Sequence, residues 1–132
     1  MQTARCACGA VTLTASKPPH LTALCHCLAC QRRTGSPFSA NAFYAVAAVS
    51  STGTTNVFVR RGDSGRRVHM HFCPGCGSTV FWKADATPDW IGVGVGSFAD
   101  PSFMAPTMSV FEQSRHHWVR LDDGVAHFQA LP

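Results

Sequence analysis

The chain is organised around Cys25-His26-Cys27-Leu28-Ala29-Cys30, where three cysteines fall within six residues. In an extended strand, residues i and i+2 point to the same side, so Cys25 and Cys27 share a face and His26 turns away from it. Cys30 reaches the same point only if the chain turns after Cys27. Three thiolates that converge in this way supply three of the four tetrahedral positions that zinc prefers, and leave one open. The plainer outcome is a closed knuckle whose fourth ligand comes from elsewhere. With the position open, three thiolates make an electron-rich metal group that activates water poorly and favours a soft fourth ligand, such as a substrate thiol. That thiol would ionise near neutral pH, because the thiolate is the ligand.

The other four cysteines form two matching pieces. Each is a cysteine pair followed at once by glycine and then by a β-branched strand: Cys6-x-Cys8-Gly9 leads to Val11, and Cys73-x-x-Cys76-Gly77 leads to Val80. Glycine after the second cysteine allows a positive φ and is expected to aim an N–H at the sulfur, as in a zinc knuckle. Two knuckles make a closed four-thiolate site that ties together distant parts of the chain and removes loop entropy from its unfolded state. Spacing also permits the trio to join one knuckle. The likeness of the two knuckles, and the lack of glycine beside the trio, favour four plus three.

These sulfurs must be positioned by a chain of 132 residues, enough for one domain with a real core. Apolar residues make up 45% and charged residues 14%, a compact globular balance and not that of a disordered tail. The net charge of +4 is mild, and the basic residues are scattered pairs (Arg32-Arg33, Arg60-Arg61, Arg66-Arg67), not one continuous stripe. Nucleic acid is therefore not an expected partner. The opening Met-Gln-Thr-Ala-Arg-Cys lacks a basic-then-apolar leader pattern, and no apolar run approaches the roughly 20 residues that span a bilayer. Seven cysteines, an odd count, suit metal-bound thiolates in a reducing cytoplasm better than a secreted disulfide scaffold.

Alternating patterns predict strands over 11–14, 38–44, 56–60, 68–72, 79–83 and 90–95, and a strand over 21–27 that feeds the trio. Shorter strands are expected over 107–111, 117–121 and 125–128. Lys17-Pro18-Pro19 and Thr34-Gly35-Ser36-Pro37 break the pattern, and Arg61-Gly62-Asp63-Ser64-Gly65 reads as a hairpin turn. Gly92 and Gly94 leave one face of their strand bare, open to a close neighbour or a ligand. No segment keeps helical periodicity for three turns, and short helical turns are expected only near Cys30 and Pro101. The expected architecture is a single all-β domain over 1–132. His69 and His71 share a strand face with Cys73, but a complete cysteine set makes them packing or surface residues. Trp82, Trp90 and the phenylalanines read as core, and Trp118 beside His116 and His117 as a buried tryptophan with polar neighbours.

The register of Cys6-x-Cys8-Gly9, Cys25-His26-Cys27-x-x-Cys30, Thr34-Gly35-Ser36-Pro37-Phe38, Phe72-Cys73-x-x-Cys76-Gly77, Ile91-x-Val93-Gly94, Pro106 and Trp118 resembles the glutathione-dependent formaldehyde-activating enzyme family, which includes the centromere protein V group. The resemblance implies an Mss4-like β-tent of antiparallel sheets around a structural zinc on Cys6, Cys8, Cys73 and Cys76. It implies a catalytic zinc on Cys25, Cys27 and Cys30, with the fourth position available to a glutathione thiol, hence two zincs per chain. The expected activity is that of a carbon–sulfur lyase: glutathione adds to formaldehyde or a related small carbonyl and gives S-hydroxymethylglutathione. Partners would be a small thiol and a small carbonyl, with no membrane, in a monomer or homodimer.

Arg32 and Arg33 could hold a glutathione carboxylate, or be an ordinary solvated pair. Gly35 and Ser36 could offer backbone N–H groups to the ligand, or simply form a turn. The competing functional class is a module in which both zincs are structural and the β-tent binds a protein or glutathione without chemistry. The count of three cysteines in the central group favours the enzyme, because a structural site would want a fourth protein ligand.

Overall fold

The computed structural model describes residues 1–62 and 65–132. Asp63 and Ser64, in the hairpin turn expected over 61–65, lie outside the described residues. The described strands are, in chain order, β1 (Gln2–Arg5), β2 (Thr12–Ala15), β3 (Leu21–Cys25), β4 (Ser39–Ala45), β5 (Val49–Thr52), β6 (Asn56–Arg61), β7 (Arg67–Phe72), β8 (Thr79–Ala84), β9 (Trp90–Gly94), β10 (Met108–Val110) and β11 (Ala126–His127). A single α-helix among the described residues, α1, covers Leu28–Thr34. The protein is all-β in class, and among the described residues no helix is long and apolar enough to cross a membrane.

The chain forms two compact units: Met1–His20 with Ala42–Phe103, and Leu21–Asn41 with Met104–Pro132. In the first, β1, β2 and β5 make a three-stranded antiparallel sheet. Sequence patterning misses β1 and β5 because they carry mostly Ser, Thr and other polar residues. Hydroxyl pairs hold them instead, Thr12 to Thr52 at 2.6 Å and Thr3 to Thr14 at 3.4 Å. The other sheet of this unit runs β6, β7, β8, β9 in antiparallel order. Val11, Leu13, Tyr44, Val80, Ile91 and Val93 form the buried core. The Tyr44 hydroxyl donates to Gln2 Oε1 at 2.8 Å, and burial pushes its pKa up to about 12.

The second unit contains β3, β10, β11, α1 and the Ser39–Asn41 end of β4. Here the pairing is parallel, with Val110 beside Cys25 and Met108 beside Ala126. The sheets are therefore mixed, not uniformly antiparallel. The strand expected over 117–121 is absent: the Val119 N–H closes a turn onto the His116 carbonyl at 3.1 Å, and Arg120 Nη1 donates to the His117 carbonyl at 2.6 Å. Only Val119 of that stretch is buried, and Trp118 is 58% exposed, which corrects its reading as core. Phe58 is likewise exposed, on β6 between exposed Val57 and Val59. The helical turn expected near Pro101 lies earlier, as a 3-10 turn over Val95–Phe98, while Asp100 caps an ordinary turn by accepting from the Ser102 N–H at 2.9 Å.

The bare strand face has a close neighbour. Gly92 sits opposite Trp82 in the β8–β9 ladder, and a Cβ there would run into the Trp82 indole. Gly92→Ala is expected to destabilise the fold by about 1–3 kcal/mol through overpacking, seen as a lower urea midpoint. An unchanged midpoint would mean that the indole is not held against β9.

Candidate metal centres

Cys6, Cys8, Cys73 and Cys76 place their sulfurs within 4.8 Å of one another. Cys6 and Cys8 are 3.7 Å apart, and Cys8 and Cys73 are 3.6 Å apart. A tetrahedron with metal–sulfur bonds of ~2.3 Å has edges of about 3.8 Å, so this spacing fits a four-thiolate zinc. Gly9 and Gly77 both take positive φ, at 82° and 77°. Their N–H groups do not meet sulfur as expected. They close the turns onto the Cys6 and Cys73 carbonyls, at 3.1 and 2.8 Å, and the Val11 N–H donates to the Cys6 sulfur at 3.2 Å. That donor leads the effects that hold the Cys6 thiol below its ordinary pKa. At Cys76 the Ser78 hydroxyl and N–H lower the pKa to about 5. At Cys8 the Ala10 N–H favours the thiolate, but hydrogen bonds to the Cys73, Cys6 and Cys76 sulfurs outweigh it and push the pKa up to about 11. Thiols this close share protons and titrate as one group. A bound cation removes that competition and lets all four ionise.

In the second unit, Cys25, Cys27 and Cys30 also lie within 4.8 Å of one another, and no fourth His, Cys, Asp or Glu joins them among the described residues. Cys25 ends β3. The chain then turns at Cys27, which caps α1: its sulfur accepts the Cys30 N–H at 3.3 Å. This brings Cys30 back to the strand end within one helical turn. At the other end Gly35, with φ 69°, stops the helix by donating its N–H to the Gln31 carbonyl at 2.8 Å. Hydrogen bonds to Cys27 and Cys30 drive the Cys25 pKa far up. Cys25 favours the Cys27 thiolate, but Cys30 and burial outweigh it and raise Cys27. Cys30 falls to about 2 because the Cys25 and Cys27 thiols support its charge, with smaller help from the Ser39 hydroxyl and the Arg33 charge. Three sulfurs gathered this closely form a donor set that suits zinc.

The elements around the trio are tied tightly. Gln31 Nε2 donates to the His26 carbonyl at 2.9 Å and to the Ser114 carbonyl at 3.1 Å, while its Oε1 is 3.0 Å from His116 Nε2. His26 is fully buried, with Nε2 2.9 Å from Ser109 Oγ and its ring beside Phe38. It joins neither sulfur group, and burial holds its pKa down. Burial works against the Glu112 carboxylate, but the Ser109 hydroxyl, His127 and Arg115 more than offset it and lower its pKa. Val110 is buried against Cys25 and Cys30, and Met108, Phe111 and Phe128 pack on the outside of that cluster.

Of the remaining candidates, Arg33 acts on Cys30 through its charge, and Arg32 is exposed. The Gly35 and Ser36 N–H groups are engaged within the turn, the latter with Thr34 Oγ1 at 3.0 Å, so Ser36 has only its hydroxyl to offer. His69 pairs with Asp85 at 2.8 Å, and His71 lies 3.0 Å from Thr55 Oγ1 while stacking on Phe81; neither joins a sulfur group. Sequence reasoning missed Gln31, Ser39, Phe111 and Phe128. No spacing rule marks Ser39, Phe111 and Phe128, which meet the trio through tertiary structure, and Gln31 acts on the neighbouring backbone through the His26 and Ser114 carbonyls.

No curated protein matches the chain. Among solved structures, it is similar to a crystal structure of a Rhodobacter sphaeroides protein, with 19% identity, a TM-score of 0.54, and coverage of 96% of this chain and 98% of that one. At that identity the likeness speaks for the fold alone. The family described as glutathione-dependent formaldehyde-activating enzyme matches residues 1–114, a stretch that contains every cysteine discussed above. The chain belongs to the glutathione-dependent formaldehyde-activating enzyme family.

Proposed function

We propose that this protein joins glutathione to formaldehyde, or to a related small carbonyl, at Cys25, Cys27 and Cys30, with residues 1–132 acting as one domain in the cytoplasm. The observation that supports this reading is the gathering of three sulfurs within 4.8 Å, without a fourth protein donor among the described residues. Zinc on Cys6, Cys8, Cys73 and Cys76 would be architectural. Zinc on the trio would hold an incoming sulfur as its thiolate near neutral pH. The chain's own residues do the rest. The helix α1 holds Cys30 against Cys25 and Cys27, Arg33 adds positive charge that favours thiolate, and Met108, Phe111 and Phe128 exclude water from the buried sulfurs. Exposed Arg32 suits a glutathione carboxylate. Overall, the thiol sulfur bonds to the carbonyl carbon and the thiol proton ends on the carbonyl oxygen. Nothing is oxidised, and the reverse reaction breaks the same carbon–sulfur bond.

Removing a neighbour of a metal ligand typically lowers affinity or activity 10–100-fold, so removing a ligand should do at least as much. Cys30→Ser is expected to lower glutathione-dependent formaldehyde turnover by about 100-fold or more while the far-ultraviolet dichroism stays native. Normal turnover with one zinc missing would sink the assignment and favour the binding module. Cys73→Ser acts elsewhere: a structural zinc contributes on the order of 10 kcal/mol to folding, so this variant should lose its cooperative thermal transition. A strong chelator should act in two phases on the wild type, with activity lost before the fold.

A further inference from the structure

Strand β6 forms the outer edge of its sheet: among the described strands it pairs with β7 alone. The ladder runs without a break from Asn56 opposite Phe72 to Arg61 opposite Arg67. Its free side therefore presents a row of backbone N–H and C=O groups that a further strand could take up. Edges of this kind are ordinarily blunted by proline, lysine, a bulge or a covering loop. Strand β6, Asn56-Val57-Phe58-Val59-Arg60-Arg61, contains neither proline nor lysine, and its register with β7 has no bulge. Its apolar residues are also uncovered. Phe58 is 61% exposed, and Val57 and Val59, which face the other way, are 45% and 46% exposed. Both faces of this edge are apolar and open.

One end of the edge is strongly basic. Arg60-Arg61 and Arg66-Arg67 are separate pairs in the sequence, but the β6–β7 register sets Arg61 directly opposite Arg67. Like charges placed opposite each other destabilise a sheet. The ion pairs among the described residues use Asp85 and Glu112, and none of them reaches these four arginines. A carboxylate brought alongside would relieve the repulsion through charge-assisted hydrogen bonds.

We propose that β6 is a docking edge for an extended, acidic segment of a partner protein, which joins the sheet as one more strand with its carboxylates at Arg60, Arg61 and Arg67. Main-chain bonds along the edge supply the attachment, and charge selects the partner. A second copy of this chain fits less well. Antiparallel pairing of β6 with itself sets Arg60 and Arg61 opposite the uncharged Thr55-Asn56 end, and parallel pairing sets arginine beside arginine. A nucleic acid would meet the arginines but leave the backbone edge unpaired.

The test uses the full chain saturated with zinc and three fluorescein-labelled hexapeptides, read by anisotropy. The first is Glu-Glu-Val-Thr-Val-Thr, whose glutamates fall opposite Arg61 and Arg60 when it lies antiparallel to β6. The second has proline in place of the two central residues, so that one of the lost N–H groups faces the edge in either register. The third begins Lys-Lys in place of Glu-Glu. The wild type should bind the first at least ~10-fold tighter than either of the others, through the ladder and the facing charge pairs. Arg60→Glu combined with Arg61→Glu should keep a cooperative thermal transition, since Arg67 gains an opposite charge across the ladder. It should also reverse the preference toward the lysine peptide, a swap that loss of fold cannot produce. Equal binding of the proline peptide would mean a charged patch without strand addition and would overturn the proposal. So would binding of single-stranded oligothymidylate by a wild type that ignores the acidic peptide, or failure to bind any peptide. A concentration-dependent dimer abolished by Phe58→Lys would overturn it too, by giving the edge to a second copy.

Discussion

Crowded thiols face a charge problem that shapes this whole molecule. Sulfurs at 3.6–3.7 Å cannot all ionise side by side in the absence of a cation, because each thiolate raises the pKa of the next. The same crowding recurs in both groups, each with its sulfurs within 4.8 Å of one another. A divalent ion would resolve both, and the fold keeps the sulfurs close enough to hold one.

The two groups meet that need differently. Cys6, Cys8, Cys73 and Cys76 sit on two glycine turns whose backbone N–H groups are spent on carbonyl and sulfur acceptors. They join β1 to the start of β8 across most of the first unit's sequence, a role served well by a complete ligand set. The trio sits at a strand end and a two-turn helix, with Gln31 pinning the peptide between the cysteines to the loop at Ser114. Its sulfurs pack against Val110 of β10, with Met108, Phe111 and Phe128 beside that cluster.

How far this could be read from the sequence depends on the range of each contact. The four-plus-three division was legible because glycine spacing and i, i+2 placement are local rules, and Cys27 as a helix cap fulfils the turn that Cys30 demanded. Strands β6 to β9 were legible for the same reason. Strand β1 was not, because only Ala4 of it is buried, and β5 was not, because hydroxyl ladders leave no apolar alternation. The stretch 117–121 alternates in type, yet its hydrogen bonds close a turn and leave Trp118 in solvent. The partners of the trio, Ser39, Phe111 and Phe128, come from elements that no period connects.

The clasp of residues 126–130 onto β10 is made of main-chain bonds, which any sequence without proline at the donor positions can form. Exposed side chains of this tail, such as those of Ala126, Gln129 and Ala130, can therefore be exchanged while the main-chain ladder onto β10 keeps its register.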